Sequence, residues 1–172
     1  MEYQGTLSSA KEFAAQGRLE EWVHAYLVSD GRNQDFSRGL KGQKRFFLGP
    51  CEMPLSLFRR CCGPEDNMQW RVNREGFERR VDGLMDAMRH NADIPPLIVH
   101  FSLENGHGAF ELNDGNHRWE AYRRLGMNQC HVIFWITDED EYHFFQKEYG
   151  FQLHDYCSSI GGENAVHENR IL

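Results

Sequence analysis

The run Asp114-Gly115-Asn116-His117-Arg118 places a carboxylate, a flexible backbone position, an amide, an imidazole and a guanidinium in five consecutive residues. Its surroundings give these groups a common direction. The chain before it, Ala109 to Asn113, reads as a strand, and the chain after it, from about His117 to Leu125, reads as a helix ended by Gly126. A helix begins with unpaired backbone N–H groups and the positive end of its dipole, which together attract an anion. Gly115 supplies a positive φ and lets a ligand approach the backbone, while His117 and Arg118 add donors from the same turn. The chemistry this predicts is phosphate binding. Asp114 has the kind of side chain that holds Mg2+, an ion that keeps several waters and takes one or two carboxylates plus substrate phosphates. Spacing alone also permits a purely structural corner, in which Asp114 caps the helix and Arg118 pairs with Glu111 or Glu120.

The elements that must position this corner are read from periodicity. Phe77, Val81, Leu84, Met85 and Met88 form a helical stripe, with Glu78, Arg79, Asp82, Asp86 and Arg89 off it. Pro95-Pro96 ends any helix and hands over to a strand from Leu97 to Leu103, and Asn105-Gly106 turns the chain into the strand Ala109 to Asn113. After the corner helix comes the apolar strand Val132 to Ile136, so the order strand, helix, strand predicts a parallel βαβ crossover. Asp138 caps a last helix with an acidic first turn, carrying Tyr142, Phe145 and Tyr149 inward. Upstream, residues 8 to 28 read as a helix capped by Ser8 or Ser9 and broken near Gly17, with Phe13, Trp22, Val23, Tyr26 and Leu27 as a docking face. Ser29 to Leu40 reads as a loop, Arg45 to Leu48 as a short strand, and Pro54 to Cys62 as a helix closed by Gly63-Pro64.

The fold class expected is α/β, bordering on α+β: a small mixed sheet with flanking helices and an extra N-terminal helical segment. The organisation expected is an N-terminal extension 1–68 packed on a core 69–154, then a loose tail 155–172 with no apolar period, all but the tail forming one cooperative unit.

Composition narrows the function. The chain of 172 residues carries a net charge of −7, which argues against a broad basic surface for duplex DNA. Lysine occurs only at 11, 41, 44 and 147, so arginine, the residue of two-pronged phosphate recognition, supplies the rest of the 19 basic side chains. No apolar run reaches the length of a membrane helix and residues 1–10 lack the features of a signal peptide, so a cytoplasmic protein with no membrane partner is expected. The five cysteines, with Cys61 and Cys62 adjacent, suit neither a relaxed disulfide nor a zinc knuckle and are read as reduced, mostly buried thiols. Among the other polar groups, Arg59-Arg60, Arg71, Arg74 and Arg79-Arg80 offer a second anion face or, more simply, solvated helix charges, and the simpler reading is preferred; Arg123-Arg124 read as facing solvent. His100 and His107 lie on the hairpin near the corner, and Trp119 reads as packing.

Pro96-Leu97-Ile98-Val99, the run Asp114 to Arg118, and Ala121, Leu125 and Gly126 together resemble the pattern D-G-x-H-R-x-x-A-x-x-x-L-G of the ParB/sulfiredoxin superfamily. The resemblance covers about Ile94 to Ile136. It implies a small α/β fold whose members bind nucleotide phosphates at this corner: ATP in sulfiredoxins, CTP in ParB proteins, ADP or ATP in free-serine kinases. It implies that His117 and Arg118 contact the phosphates and that Asp114 serves metal binding or catalysis. With the turn and helix start, the expected phosphate-binding residues are Gly115, Asn116, His117 and Arg118, and the expected catalytic ones Asp114 and His117. Two departures narrow the match. Sulfiredoxins carry their nucleophilic cysteine where this chain has Asn116, and an amide cannot form covalent sulfur intermediates. ParB partition proteins continue into a DNA-reading helix-turn-helix, whereas about 36 residues follow Ile136 here and open with an acidic helix. The resemblance therefore leaves a nucleotide-binding protein for ATP, ADP or CTP with Mg2+, acting as a phosphotransferase on an unknown small-molecule or protein acceptor or as a nucleotide hydrolase. A nucleic-acid partner is not expected, and the oligomeric state is not legible. The alternatives are a non-catalytic regulatory or binding module and a ParB-like nuclease or nucleic-acid binder.

Overall fold

The structure, a computed structural model, describes residues 2–157, with side chains described up to residue 151. The expected tail lies almost wholly outside the described residues.

Four strands form one mixed sheet: β1 (Phe46–Pro54), β4 (Leu97–Glu104), β5 (His107–Asp114) and β6 (Gln129–Ile136), in the order β1-β6-β4-β5. The central pair, β4 and β6, runs parallel with Ile98 opposite Ile133, and β5 and β1 close the two edges antiparallel. Because β4 and β6 are covered on both faces, their side chains read as a continuous apolar run rather than an alternation. Leu97, Val99, Phe101, Val132, Phe134 and Ile136 face one core, with Phe145 of α6 (Glu139–Cys157) packed into it. Ile98 and Ile133 face the other core.

That second face is covered by α1 (Leu7–Ala15), α2 (Leu19–Val28) and α3 (Gln34–Leu40), which bury Phe13, Trp22, Val23, Tyr26, Leu27 and Leu40. The docking face expected for residues 8 to 28 is thus realised as two helices, with the break at Gly17 in the left-handed region (φ +69°). Three upstream readings are corrected. The cap of α1 is Thr6, whose hydroxyl accepts from the Ser9 N–H, and not Ser8 or Ser9. The expected loop 29–40 contains α3, capped by Asn33; its burial rests on Ser37 and Leu40 alone, too few apolar positions to show a period. The expected helix 54–62 is instead the end of β1, a single 3-10 turn at Leu55–Leu57 and the start of a two-residue strand, β2 (Cys62–Gly63). Strand β2 pairs with β3 (Trp70–Arg71) in a separate parallel ribbon.

The hairpin and corner follow the sequence reading closely. Asn105 and Gly106 both take positive φ, as the tight turn between β4 and β5 requires. Helix α5 (Asn116–Arg124) then crosses from β5 to β6. The crossover differs from expectation: β5 and β6 are not neighbours and run in opposite directions, so α5 does not join a parallel pair. The hairpin reverses the chain, so β6 lands on the far side of β4 and makes its parallel pair with β4. Helix α4 (Arg74–Arg89) buries Phe77 and Val81 against Ala121 of α5, as its stripe predicts. Asp138 caps α6 through the N–H groups of Asp140 and Glu141.

Candidate functional site

Strand β5 delivers Asp114 to the sheet edge, and Gly115 then turns the chain with φ +108°, a region L side chains rarely adopt. A Cβ at this position would also lie 2.5 Å from Leu97 Cδ2. Gly115 is the N-cap of α5 and brings no side-chain cap. The first backbone bond of the helix runs from Trp119 N–H to the Gly115 carbonyl (2.8 Å), so the N–H groups of Asn116, His117 and Arg118 precede it without helical partners. They lie beside a cleft of about 580 Å3 lined by Asp114, Gly115, His117 and Arg118 and by residues of four other segments.

The four polar side chains of the run have different roles. Arg118 is only 5% exposed: its Nη1 donates to the carbonyls of Pro95 (2.8 Å) and Pro96 (2.7 Å), and its Nη2 is bonded to Asp114. The guanidinium also stands over the ring of Tyr26, 5.3 Å from its centroid. The purely structural corner is not realised as expected: Arg118 pairs with neither Glu111, exposed on its strand, nor Glu120, bonded to Arg123 and Arg124, but with Asp114, which does not cap the helix. Asn116 points away from the cleft: its Oδ1 accepts from the N–H groups of Cys61 (2.9 Å) and Cys62 (3.1 Å), tying the 60–63 segment to the head of α5. His117 packs against Phe77, ring centroids 4.7 Å apart. Burial first, then the charge of Arg80, holds its imidazole below the ordinary histidine range, so it is neutral at pH 7.

Three further groups reach the cleft. Arg80 comes from α4, Tyr26 from α2, and Arg32 from the turn between α2 and α3. Burial pushes the Tyr26 hydroxyl above its ordinary range, so it stays protonated. Arg80 was visible in the sequence as a basic residue off the apolar stripe, but it read as a solvated charge; Arg32 gave no signal beyond its place after Asp30-Gly31. His100 stacks on Trp135 (4.0 Å) and His107 is exposed at the hairpin; neither lines the cleft. Trp119 packs in the core, donating to the Leu55 carbonyl (3.3 Å).

Arg123 and Arg124 do not simply face solvent. Both bond to Glu120, which is 2% exposed, and Arg124 also reaches Glu78 on α4 (2.6 Å). Arg60, another expected solvated charge, is buried between Glu65 and Glu120. Burial alone would raise the Glu120 carboxyl; hydrogen bonds from Arg123 and Arg124 and the charge of Arg60 hold it at about 2. The described cysteines are free thiols; Cys51 and Cys130 are buried and pushed up to about 12 by that burial, while Cys61 and Cys62 are half-buried.

A phosphate fits this arrangement: free N–H groups at a helix start, a left-handed glycine and convergent guanidinium groups. A resident Mg2+ at Asp114 does not fit as well. The Asp114 carboxylate is committed to Arg118, and among the described residues no group of three His, Cys, Asp or Glu side chains is arranged to hold a metal ion. Among the described residues, no helix is long and apolar enough to cross a membrane.

Residues 67–144 match the ParB N-terminal domain family. Two solved structures are similar over part of the chain. One is a sulfiredoxin from Arabidopsis thaliana, 26% identical, covering 52% of this chain and 83% of that one, with a TM-score of 0.36. The other is the C-terminally truncated chromosome-partitioning protein ParB from Caulobacter crescentus, complexed with CTP-γ-S: 19% identical, covering 58% of this chain and 52% of that one, with a TM-score of 0.38. No curated protein matches the sequence.

Proposed function

We propose that the cleft at the head of α5, within residues that match the ParB N-terminal domain family and walled in part by the N-terminal helices, binds the phosphates of a nucleotide, ATP, ADP or CTP. The observation that carries this reading is the start of α5 itself. It opens at a left-handed glycine with no side-chain cap, beside a cleft into which Arg80 and Arg32 also reach. The N–H groups of Asn116, His117 and Arg118 take the phosphate at the floor, and Arg118, held by Asp114 and the Pro95 and Pro96 carbonyls, fixes the corner's shape and adds its positive field.

Phosphoryl transfer to a small-molecule or protein acceptor, or hydrolysis, is the activity this site suits. His117 is neutral at pH 7 and so able to accept a proton from an attacking hydroxyl or water. Asp114 orients Arg118 rather than presenting a free carboxylate. Magnesium, where the nucleotide brings it, would neutralise phosphate charge. The commitment of Asp114 to Arg118 favours a second reading, a binding module that holds nucleotide without turnover.

Thermal-shift titration with ATP, ADP and CTP, with and without Mg2+, followed by a phosphate-release assay, tests both. A raised melting temperature with phosphate release that disappears in His117→Ala supports the enzyme. The same rise without release supports the module. No rise with any nucleotide defeats the proposal. The net charge of −7 says little about a focused positive cleft, so a low-salt DNA and RNA shift assay belongs beside these measurements.

A further inference from the structure

Part of the cleft wall lies outside the family-matched residues 67–144, on the turn between α2 and α3. This turn is tied at several points. Gly31 N–H donates to the Tyr26 carbonyl (2.8 Å) and Asn33 N–H to the Leu27 carbonyl (2.7 Å), while the Asn33 side chain caps α3. The Asp30 carboxylate accepts from the hydroxyls of Tyr3 (2.6 Å) and Ser29 (3.2 Å). Between these ties Arg32 sits in the left-handed region, φ +48°, a conformation a non-glycine residue rarely adopts.

Charge pairing separates the arginines of this region. Arg38 bonds to Asp35, Arg79 to Glu75 and Arg118 to Asp114. Arg32 and Arg80 are exposed and, among the described residues, form no ion pair, and both line the cleft. Both carboxylates on the cleft wall, Asp30 and Asp114, already have partners. The helix N-terminus satisfies one phosphate at the floor, and two unpaired guanidinium groups from separate elements remain for negative charge further along the same ligand.

Resting on the nucleotide reading above, we infer that Arg32 is a specificity-determining residue: together with Arg80 it binds the outer phosphates of a nucleoside di- or triphosphate, so that the cleft selects by phosphate-chain length. The N-terminal helices are then part of the binding site as well as a cover for the sheet.

Calorimetric titration of the full chain with ATP and AMP, and with CTP and CMP, tests this on the wild type and on R32N, R32K and R80Q. Asparagine tolerates the left-handed backbone, so R32N removes the guanidinium while keeping the turn, and an unchanged melting temperature checks that it does. The expected result is a triphosphate bound more tightly than its monophosphate by the wild type. R32N and R80Q each lose about tenfold for the triphosphate with little change for the monophosphate, and R32K recovers part of the loss. An R32N protein that keeps the wild-type ratio of triphosphate to monophosphate affinity overturns the inference while leaving nucleotide binding standing. A wild type that binds none of these four, nor ADP, removes the nucleotide reading and this inference with it.

Discussion

Arg118 spends its donors on the protein. With two prolyl carbonyls, Asp114 and the face of Tyr26 around it, the guanidinium is as much a fastener as a ligand group. Arg118→Ala should therefore cost about 3 kcal/mol in denaturant unfolding, because it strands a partly buried carboxylate and two carbonyls. A loss under about 1 kcal/mol would mean the pair behaves like an exposed one. His117 gives a pH signature. Burial and Arg80 lower its pKa, with Arg118 and Arg60 acting the same way and Asp114 opposing. Between the lowered folded value and the unfolded value near 6.5, the unfolded chain binds more protons, so this residue's contribution to stability is present above about pH 6.5 and falls on acidification. A bound phosphate dianion pulls the other way and raises the imidazole pKa. Near pH 6 nucleotide binding should take up protons, read as a dependence of binding enthalpy on buffer ionisation enthalpy. That dependence should vanish in His117→Ala; its persistence there would assign the proton elsewhere.

The corner between β5 and α5 is the element on which the account turns, and Gly115 is its hinge of geometry. Gly115→Ala puts a Cβ against Leu97 in a left-handed conformation, so unfolding should show a loss of about 1–3 kcal/mol and nucleotide affinity should fall with it. Full stability in that variant would show that the corner relaxes freely. This corner was legible in the sequence because its signals are local: Asn105-Gly106 for the hairpin, Gly115 for the turn, Gly126 for the end of α5, and the Phe77 to Met88 stripe for α4. What was not legible depends on tertiary packing. Helix α3 has too few buried positions to show a period. The 54–62 segment looked helical because Pro54 and Gly63-Pro64 bracket it, yet Asn116 anchors its end in an extended form. The strand order places β5 and β6 on opposite sides of β4, a pairing that no local signal within either strand specifies. Arg32, Arg80 and Tyr26 meet the corner only when α2, the turn that follows it and α4 pack around it.

Across the whole molecule, an acidic chain builds a local positive cleft by pairing charge elsewhere. Glu120 is the hub of that pairing, joining Arg60, Arg123 and Arg124, while Arg124 links onward to Glu78 of α4. Its carboxyl is held at about 2, so the stabilisation is present above the ordinary glutamate value and is lost as pH falls from about 4.5 toward 2. Glu120→Gln should cost on the order of 3 kcal/mol at pH 7 and progressively less below pH 4; a gap independent of pH would contradict the charge network as its cause. The most direct measurement of the central claim is isothermal titration of the folded protein with ATP, ADP and CTP, alongside Gly115→Ala. Saturable one-to-one binding of at least one of them, weakened in the variant, is the expected result. Folded wild-type protein that binds none of the three, or binding that Gly115→Ala leaves untouched, would contradict it.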